Sequence, residues 1–122
     1  MNDLNQFLKQ YEEATNRHDF DNIAPLIAKD AVYWFSDGSY EGFASIREAF
    51  EAAWNTVKDE VYTISNVRWL VVSATAAICV YDFSWKGVID GKPMSGGGRG
   101  TNALTKTDTG WQIVHEHLSK RP

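Results

Sequence analysis

The first apolar pattern in the chain has the three- and four-residue spacing of an amphipathic helix. This pattern predicts a helix from Leu4 to His18, with Asp3 placed to cap its first turn. A shorter second helix is predicted next, with Pro25 tolerated near its first turn and an end by Asp30. The buried stripe of the first helix consists of Leu4, Phe7, Leu8, Tyr11 and Ala14.

Strand patterns then appear, with one more helix among them. Ala31 to Phe35 is β-branched and aromatic, and the Asp37-Gly38 turn leads to a brief return strand over Ser39 to Glu41. Helical spacing returns from Phe43 to Val57. After Glu60 only strands are predicted, so the whole chain, 1–122, is interpreted as one α+β domain with helices packed on a sheet. The later strands are Val61 to Ser73, Thr75 to Ile89, Arg99 to Lys106 and Trp111 to Ser119.

Composition narrows the possible partners. A net charge of −4 over 122 residues, with Lys and Arg scattered, gives no basic stripe for nucleic acid. No apolar run approaches the roughly 20 residues of a membrane span, and the polar start from Met1 to Glu13 does not resemble an export signal. We therefore expect a cytoplasmic protein with no membrane or nucleic-acid partner. The lone Cys79 lies in an apolar run and is expected to be a buried, inert thiol.

Several short motifs carry a family resemblance. They are Asp30-Ala31-Val32, Asp37-Gly38, Glu41-Gly42, Gly98-Arg99-Gly100-Thr101 and the run from Gly110 to Ser119. In this order they resemble the SnoaL-like branch of the nuclear transport factor 2-like superfamily, and most of all its members similar to the association domain of calcium/calmodulin-dependent protein kinase II. The resemblance implies a cone-shaped, cystatin-like fold: three N-terminal helices pack on a curved antiparallel sheet, a pocket opens at one end, and the outer sheet face forms a homodimer.

The resemblance also implies which side chains face the pocket. Functional positions of the relatives match Asp82, Asn102 and Leu118, so Asp82, Asn102 and Glu116 are expected inside. Gly98, which shares this parity, would leave room for a ligand. Among the relatives are ketosteroid isomerases and polyketide cyclases. Phe35 and Leu118 stand at the positions that match their proton-transferring residues, so the resemblance does not carry those activities over. The expected pocket lining is Tyr11, Tyr33, Phe35, Trp54, Arg99, Asn102 and Leu118, and the side chains expected to face outward include Tyr81, Phe83, Trp85, Trp111, Ile113, His115 and His117.

Each chemical group has an alternative interpretation. Asp82 and Glu116 form either a catalytic carboxylate pair or separate ion pairs with basic neighbours. Arg99 binds a substrate carboxylate or pairs with a nearby acid. His115 and His117 suggest a metal site only if a third ligand joins them, so no metal and no cofactor is expected.

The sequence therefore predicts a homodimeric domain that binds an unknown small molecule, without naming a reaction. Two alternatives remain open. One is an isomerase- or cyclase-like enzyme that transfers a proton on a small apolar substrate, with Asp82 and Glu116 as catalytic candidates. The other is a non-catalytic oligomerisation module.

Overall fold

The computed structural model describes residues 2–121 and places three helices beside one six-stranded sheet. The first helix ends before His18, which adopts a left-handed backbone with a φ of 58°. Asp19 begins the second helix by accepting a hydrogen bond from the Asp21 amide at 3.0 Å. The helices are α1 (Asn2–Thr15), α2 (Phe20–Ile23) and α3 (Gly42–Thr56), and a 3-10 turn, Ala24–Leu26, follows α2. Within residues 2–121 no helix is long and apolar enough to span a membrane.

The strands are β1 (Ile27–Phe35), β2 (Gly38–Glu41), β3 (Lys58–Val72), β4 (Ala76–Ile89), β5 (Lys92–Thr107) and β6 (Gly110–Lys120). They form one sheet in the order β2-β1-β6-β5-β4-β3. Register shifts in β1, β3 and β6 bend this sheet around the helices.

Three expectations about the architecture need correction. The sheet is not wholly antiparallel, because β1 and β6 run parallel. The three helices do not all precede the sheet, because α3 follows β1 and β2. Finally, β1 starts at Ile27 and not at Ala31, because the second helix passes into a 3-10 turn at Pro25 and the backbone is extended from Ile27 onward.

Cross-strand pairing defines two faces of the sheet. Tyr33, Glu116, Asn102 and Cys79 form one row across four strands, and all four are buried. We call this the inner face. The next row, on the outer face, consists of Val32, His115, Ala103, Ile78 and Val71.

One extra residue in β6 changes which of its side chains face inward. Ala103 pairs with His115, whereas Leu104 pairs with Ile113, so Val114 is the additional residue of a bulge. Simple alternation predicts that Ile113 faces the same way as His115. The bulge instead brings Ile113 and Trp111 to the inner face, where Ile113 is fully buried.

Three glycines of β5 lie directly opposite three aromatic residues of β4. A Cβ added to Gly100 would overlap the Tyr81 ring, and one added to Gly98 would lie 3.0 Å from the Phe83 ring. The rings therefore lie across the β5 backbone and occupy the space that was expected to be open for a ligand. We call these pairs the glycine–aromatic ladder: Trp85–Gly96, Phe83–Gly98 and Tyr81–Gly100.

Polar side chains of α1 and of Asn16, the residue after it, cover part of the free edge of β3. The Asn16 amide bonds both backbone groups of Tyr62, donating to its carbonyl oxygen at 2.9 Å and accepting from its N–H at 2.7 Å. Glu12 accepts from the Ile64 N–H at 2.7 Å. These bonds satisfy backbone groups that an edge strand would otherwise leave unpaired.

Candidate functional site

A buried carboxyl group lies inside the curved sheet. Glu116 is 2% exposed, and it accepts a hydrogen bond from the Tyr11 hydroxyl at 3.0 Å. The Tyr11 and Tyr33 hydroxyl oxygens are 2.8 Å apart. Because Tyr11 uses its single proton toward Glu116, Tyr33 is the donor in that second bond. The Tyr81 hydroxyl donates to Asn102 Oδ1 at 2.8 Å and lies 3.4 Å from Glu116 Oε1.

Six different elements contribute one side chain each to this group. Four of the five tyrosines of the chain belong to it, and the charge of Glu116 acts on all four hydroxyls. The group therefore exists only when the whole sheet and α1 are assembled. We call it the Glu116 cluster: Tyr11 of α1, Tyr33 of β1, Tyr62 of β3, Tyr81 of β4, Asn102 of β5 and Glu116 of β6.

Burial changes the ionisation of the cluster. Removal from water raises the pKa of Glu116 from 4.5 to about 7, although the hydrogen bond from Tyr11 lowers it in part. The Asn102 amide also lies near enough to lower the pKa of Glu116, yet its Nδ2 makes no hydrogen bond of good geometry. Glu116 can therefore be either protonated or ionised near neutral pH, which is what a general acid or base requires.

The other ionisable groups of the interior stay protonated. Burial, and then the charge of Glu116, raises the pKa of Tyr11 and Tyr81 well above that of a free phenol. Burial raises the pKa of the Cys79 thiol to about 12, so this cysteine is not a nucleophile near neutral pH. The tyrosines are thus hydrogen-bond donors.

Two buried polar atoms of the cluster have no hydrogen-bond partner. They are the Tyr62 hydroxyl oxygen and Asn102 Nδ2, and they are the only such side-chain atoms among residues 3–121. Buried polar groups in folded proteins are nearly always paired, so each exception asks for an explanation. Both exceptions occur beside the same carboxyl group. The Tyr62 hydroxyl lies near enough to Tyr81 for Tyr81 to lower its pKa, but this contact does not have the geometry of a hydrogen bond.

Surface depressions lie away from this cluster. One, of about 620 Å³, runs beside α1 and is lined by Phe7, Gln10 and Trp111 among others. A second, of about 410 Å³, lies near Val61, Lys86 and Met94. Neither contains a residue of the Glu116 cluster. We give the cluster more weight than these depressions, because it holds the buried acid and the unpaired donors.

The predicted pairing of Asp82 with Glu116 is wrong. Asp82 lies on the outer face, directly opposite Arg99, which is exposed and does not line the interior. Asp82 accepts a hydrogen bond from Asn66 at 2.7 Å and forms an ion pair with Arg121 at 2.8 Å. Those contacts, the Asn66 bond first, lower the pKa of Asp82. The error arose because the family resemblance, and not the alternation of residues in β4, was used to choose the inward-facing set.

The remaining predicted pocket residues surround the cluster without polar contact to it. Phe35 packs edge-on against Tyr33, with ring centres 5.8 Å apart. Trp54 stacks on His18 at 5.6 Å. Leu118 lies on the inner face opposite Gly100 and packs against the core. All three predicted lining residues are partly buried.

The outer face carries a different set of groups. Trp34 is 45% exposed, and the rings of His115 and His117 meet it edge-on at 4.9 and 5.5 Å. His115 Nδ1 lies 2.7 Å from the Val32 carbonyl oxygen. No group of three metal-binding side chains occurs in the described part of the chain. Exposed Val71 and Ile78 extend the apolar area across the sheet.

Sequence reasoning missed Tyr62 and Tyr81 as members of the site. A signal for Tyr81 was present, because Tyr81 alternates with Cys79, Phe83 and Trp85 in a set without charged side chains. Such a set belongs on the inner face, and Trp85 is accordingly partly buried there and not on the outside. Tyr62 follows a register shift in β3, so its orientation had no comparable signal.

Comparisons with known proteins agree with this fold. A nuclear transport factor 2-like superfamily protein from Salmonella enterica has a TM-score of 0.88 at 20% identity, covering 96% of this chain and 87% of the other. The C. elegans calcium/calmodulin-dependent protein kinase II association domain has a TM-score of 0.80 at 18% identity, covering 98% and 94%. A Nostoc punctiforme protein of unknown function with a cystatin-like fold has a TM-score of 0.83 at 16% identity, covering 98% and 90%.

At these identities the solved structures establish the fold and no activity. A comparison with curated proteins gives no match. The family comparison is more specific, because residues 4–122 match the family described as a SnoaL-like domain. The resemblance inferred from the motifs is confirmed, and the chain belongs to the SnoaL-like domain family, within the nuclear transport factor 2-like fold.

Proposed function

We propose that this chain is a homodimeric domain that binds a small molecule at the Glu116 cluster, with no reaction assigned to it. The observation that carries the proposal is the pair of unpaired buried donors, Tyr62 Oη and Asn102 Nδ2. Leaving such a group unsatisfied costs about 1–3 kcal/mol. A ligand oxygen that accepted these hydrogen bonds would remove that cost on binding.

The chemistry of the cluster favours a neutral ligand. Among Asp, Glu, Lys, Arg and His, only Glu116 occurs in the buried part of the described chain, so no buried cation is present to bind an anion. The surrounding side chains are aromatic and suit an apolar ligand body. The ligand is therefore expected to be mostly apolar, with a carbonyl or hydroxyl oxygen directed at Asn102.

Entry to the cluster requires a side chain to move, because Glu116 is buried and so are the unpaired Tyr62 Oη and Asn102 Nδ2. Phe83 is the candidate. Its ring is only partly buried, and it stacks on the Tyr62 ring with centres 6.0 Å apart. Rotation of this ring would expose the Tyr62 hydroxyl and the carboxyl group behind it.

The proposal is tested by ligand screening with two matched variants. Native mass spectrometry first identifies any small molecule retained by the purified protein. A library of neutral carbonyl and hydroxyl compounds is then screened by thermal shift against the wild type, Asn102→Leu and Asp82→Asn. Ligands of the cluster should bind Asn102→Leu roughly tenfold more weakly, which corresponds to one hydrogen bond. Equal affinity for both variants, or the absence of any ligand, would contradict the proposal.

An enzyme is the second candidate, and the pKa of Glu116 of about 7 favours it. In this reading Glu116 removes or supplies a proton, and Tyr11 or Tyr33 stabilises the charge by hydrogen bonding, as in an isomerase- or cyclase-like reaction. Asp82, on the outer face, takes no part. Once a substrate is found, Glu116→Gln should reduce kcat by a factor of about 100 or more, and Asp82→Asn should leave it unchanged. Full activity of Glu116→Gln would exclude this mechanism.

Oligomerisation is supported by the exposed apolar residues of the outer face. Trp34, Val71 and Ile78 are each at least 36% exposed and lie on that face. A similar structure is an association domain by name, and sheet-to-sheet contact would bury these side chains. In analytical ultracentrifugation, Val71→Glu should shift a dimer toward monomer. Met94→Glu is the control, because Met94 is 47% exposed but lies on the other face. A monomeric wild type would reject the dimer.

A further inference from the structure

The side-chain amide of Asn102 has one satisfied end and one free end. Tyr81 donates to Oδ1 at 2.8 Å, whereas the buried Nδ2 has no partner. A hydroxyl can donate or accept, so a reversed amide could still bond the Tyr81 hydroxyl through its nitrogen. The reversed amide would, however, place its oxygen beside Glu116, whose ionised form the Asn102 amide now favours. Tyr81 and Glu116 together therefore hold Asn102 with its oxygen toward the phenol and its nitrogen as the unpaired group.

The reach of Tyr81 depends on Gly100. The two residues are direct cross-strand partners on the inner face, and Asn102 lies two positions beyond Gly100 on the same face. A Cβ on residue 100 would overlap the phenol ring and lie 2.7 Å from its hydroxyl oxygen. Because that Cβ is missing, the ring lies across β5 and its hydroxyl arrives between Asn102 and Glu116.

We propose that Tyr81 and Gly100 are positioning residues of the ligand site: Gly100 lets the phenol cross β5, and the phenol, together with the neighbouring Glu116 carboxyl group, holds Asn102 with Nδ2 as the free donor. The role of this donor in ligand binding rests on the proposed function, because Nδ2 is the group to which a ligand oxygen would bind. Its geometry is a property of the protein without ligand, so it can be tested separately.

The glycine–aromatic ladder contains two further glycine–aromatic pairs at increasing distance from the Glu116 cluster. The farther of these pairs supplies a control. Gly96 faces Trp85 as Gly100 faces Tyr81, and a Cβ on residue 96 would lie 2.7 Å from Trp85 Nε1. Gly96→Ala therefore disturbs a ring of the same ladder that has no contact with Asn102. Any effect common to both glycine variants is due to packing, and an effect confined to Gly100→Ala is due to Tyr81.

The experiment is an NMR titration of ligand-free protein labelled in its glutamate carboxyl and asparagine amide groups. The groups around Glu116 are the hydroxyls of Tyr11, Tyr33, Tyr62 and Tyr81, the amide of Asn102 and the thiol of Cys79. None of these groups loses a proton near neutral pH, so the titration of the carboxyl signal there reports on Glu116 itself. The Tyr81 hydroxyl also lies 3.4 Å from Glu116 Oε1 and lowers the pKa of Glu116, so its loss in Tyr81→Phe should raise that pKa by roughly half a unit to one unit. The side-chain amide signals of Asn102 should move or broaden as the amide loses its fixed orientation.

Gly100→Ala should reproduce both changes, and Gly96→Ala should produce neither. If Gly100 acts through the Tyr81 hydroxyl, the double variant should show no more change than Tyr81→Phe alone. Unchanged Glu116 and Asn102 signals in Tyr81→Phe would overturn the proposal, and that variant keeps its ring, so the test stands even if Gly100→Ala does not fold. Failure to find any ligand would count against the proposed function and would leave this result unaffected.

Discussion

Glu116 and Asp82 are carboxylates of the same sheet, separated by β5, and their surroundings give them opposite properties. Glu116 lies on the inner face among phenols, and burial raises its pKa to about 7. Asp82 lies on the outer face, where Asn66 and Arg121 stabilise its charge and lower its pKa. The sheet face therefore decides whether an acid is suited to proton transfer or is a solvated ion-pair partner.

The two faces should differ most in how much stability is lost when an isoleucine is replaced by alanine. Ile113 is fully buried on the inner face, whereas Ile78 is 36% exposed on the outer face. Ile113→Ala should lower the free energy of unfolding by about 2–5 kcal/mol, because it leaves a cavity. Ile78→Ala should cost less than about 1 kcal/mol in the monomer. Urea unfolding at low protein concentration compares the two, and equal losses would show that the outer face is packed as tightly as the inner one.

Glu116 and Asp82 should also make opposite contributions to the pH dependence of the free energy of unfolding, and this is the second largest expected effect. Between pH 4.5 and about 7 the unfolded chain ionises Glu116 while the native state keeps its proton. The native state then binds more protons, so stability falls as pH rises through this window, by roughly 3 kcal/mol. Glu116→Gln should remove that fall.

Asp82→Asn is the control for this pH dependence. Because the pKa of Asp82 is lowered in the folded state, its contribution is present above pH 3.8 and is lost as pH falls below that value. This variant should therefore retain the fall in stability between pH 4.5 and 7. Thermal unfolding across pH 4 to 8 measures both variants, and a flat wild-type profile would contradict the raised pKa of Glu116.

A smaller effect is expected from single hydroxyl groups. Tyr11→Phe removes the bond to Glu116 and leaves the buried Tyr33 hydroxyl without an acceptor. It should cost about 1–2 kcal/mol at pH 7. Tyr40→Phe is the matched change at the surface, where the hydroxyl donates to Asp37 in an exposed bond of 3.0 Å. Its effect should stay within about 0.5 kcal/mol, and chemical unfolding that found the two variants equally destabilised would argue against an ordered hydrogen-bond network.

Much of this arrangement can be predicted from the sequence, because helical spacing and turn residues are local signals. The positions of the hairpin at Asp37 and of the long helix before residue 57 follow from them. The two faces of the sheet were harder to predict. In β4 the uncharged set from Cys79 to Trp85 indicates the inner face, and placing Asp82 there by resemblance overrode a correct physical signal.

In β6 no local signal reveals the bulge at Val114. A strand read with uninterrupted alternation places Glu116 and Ile113 on opposite faces, although both are buried on the same one. The inward orientation of Tyr62 could not be predicted for the same reason, because β3 contains three register shifts. A bulge depends on the register between two paired strands, and the sequence of one strand alone does not predict that register.

The bonds that Glu12 of α1 and the adjoining Asn16 make to the edge of β3 have a consequence for folding on the ribosome. Asn16 and Glu12 are synthesised early, but the backbone groups that they bind follow 46 and 52 residues later. Until α1 docks, the amides of Tyr62 and Ile64 lie on an open strand edge that another chain can pair with. The first helix therefore protects the nascent sheet from aggregation, and a chain shortened at its N-terminus should accumulate as insoluble material.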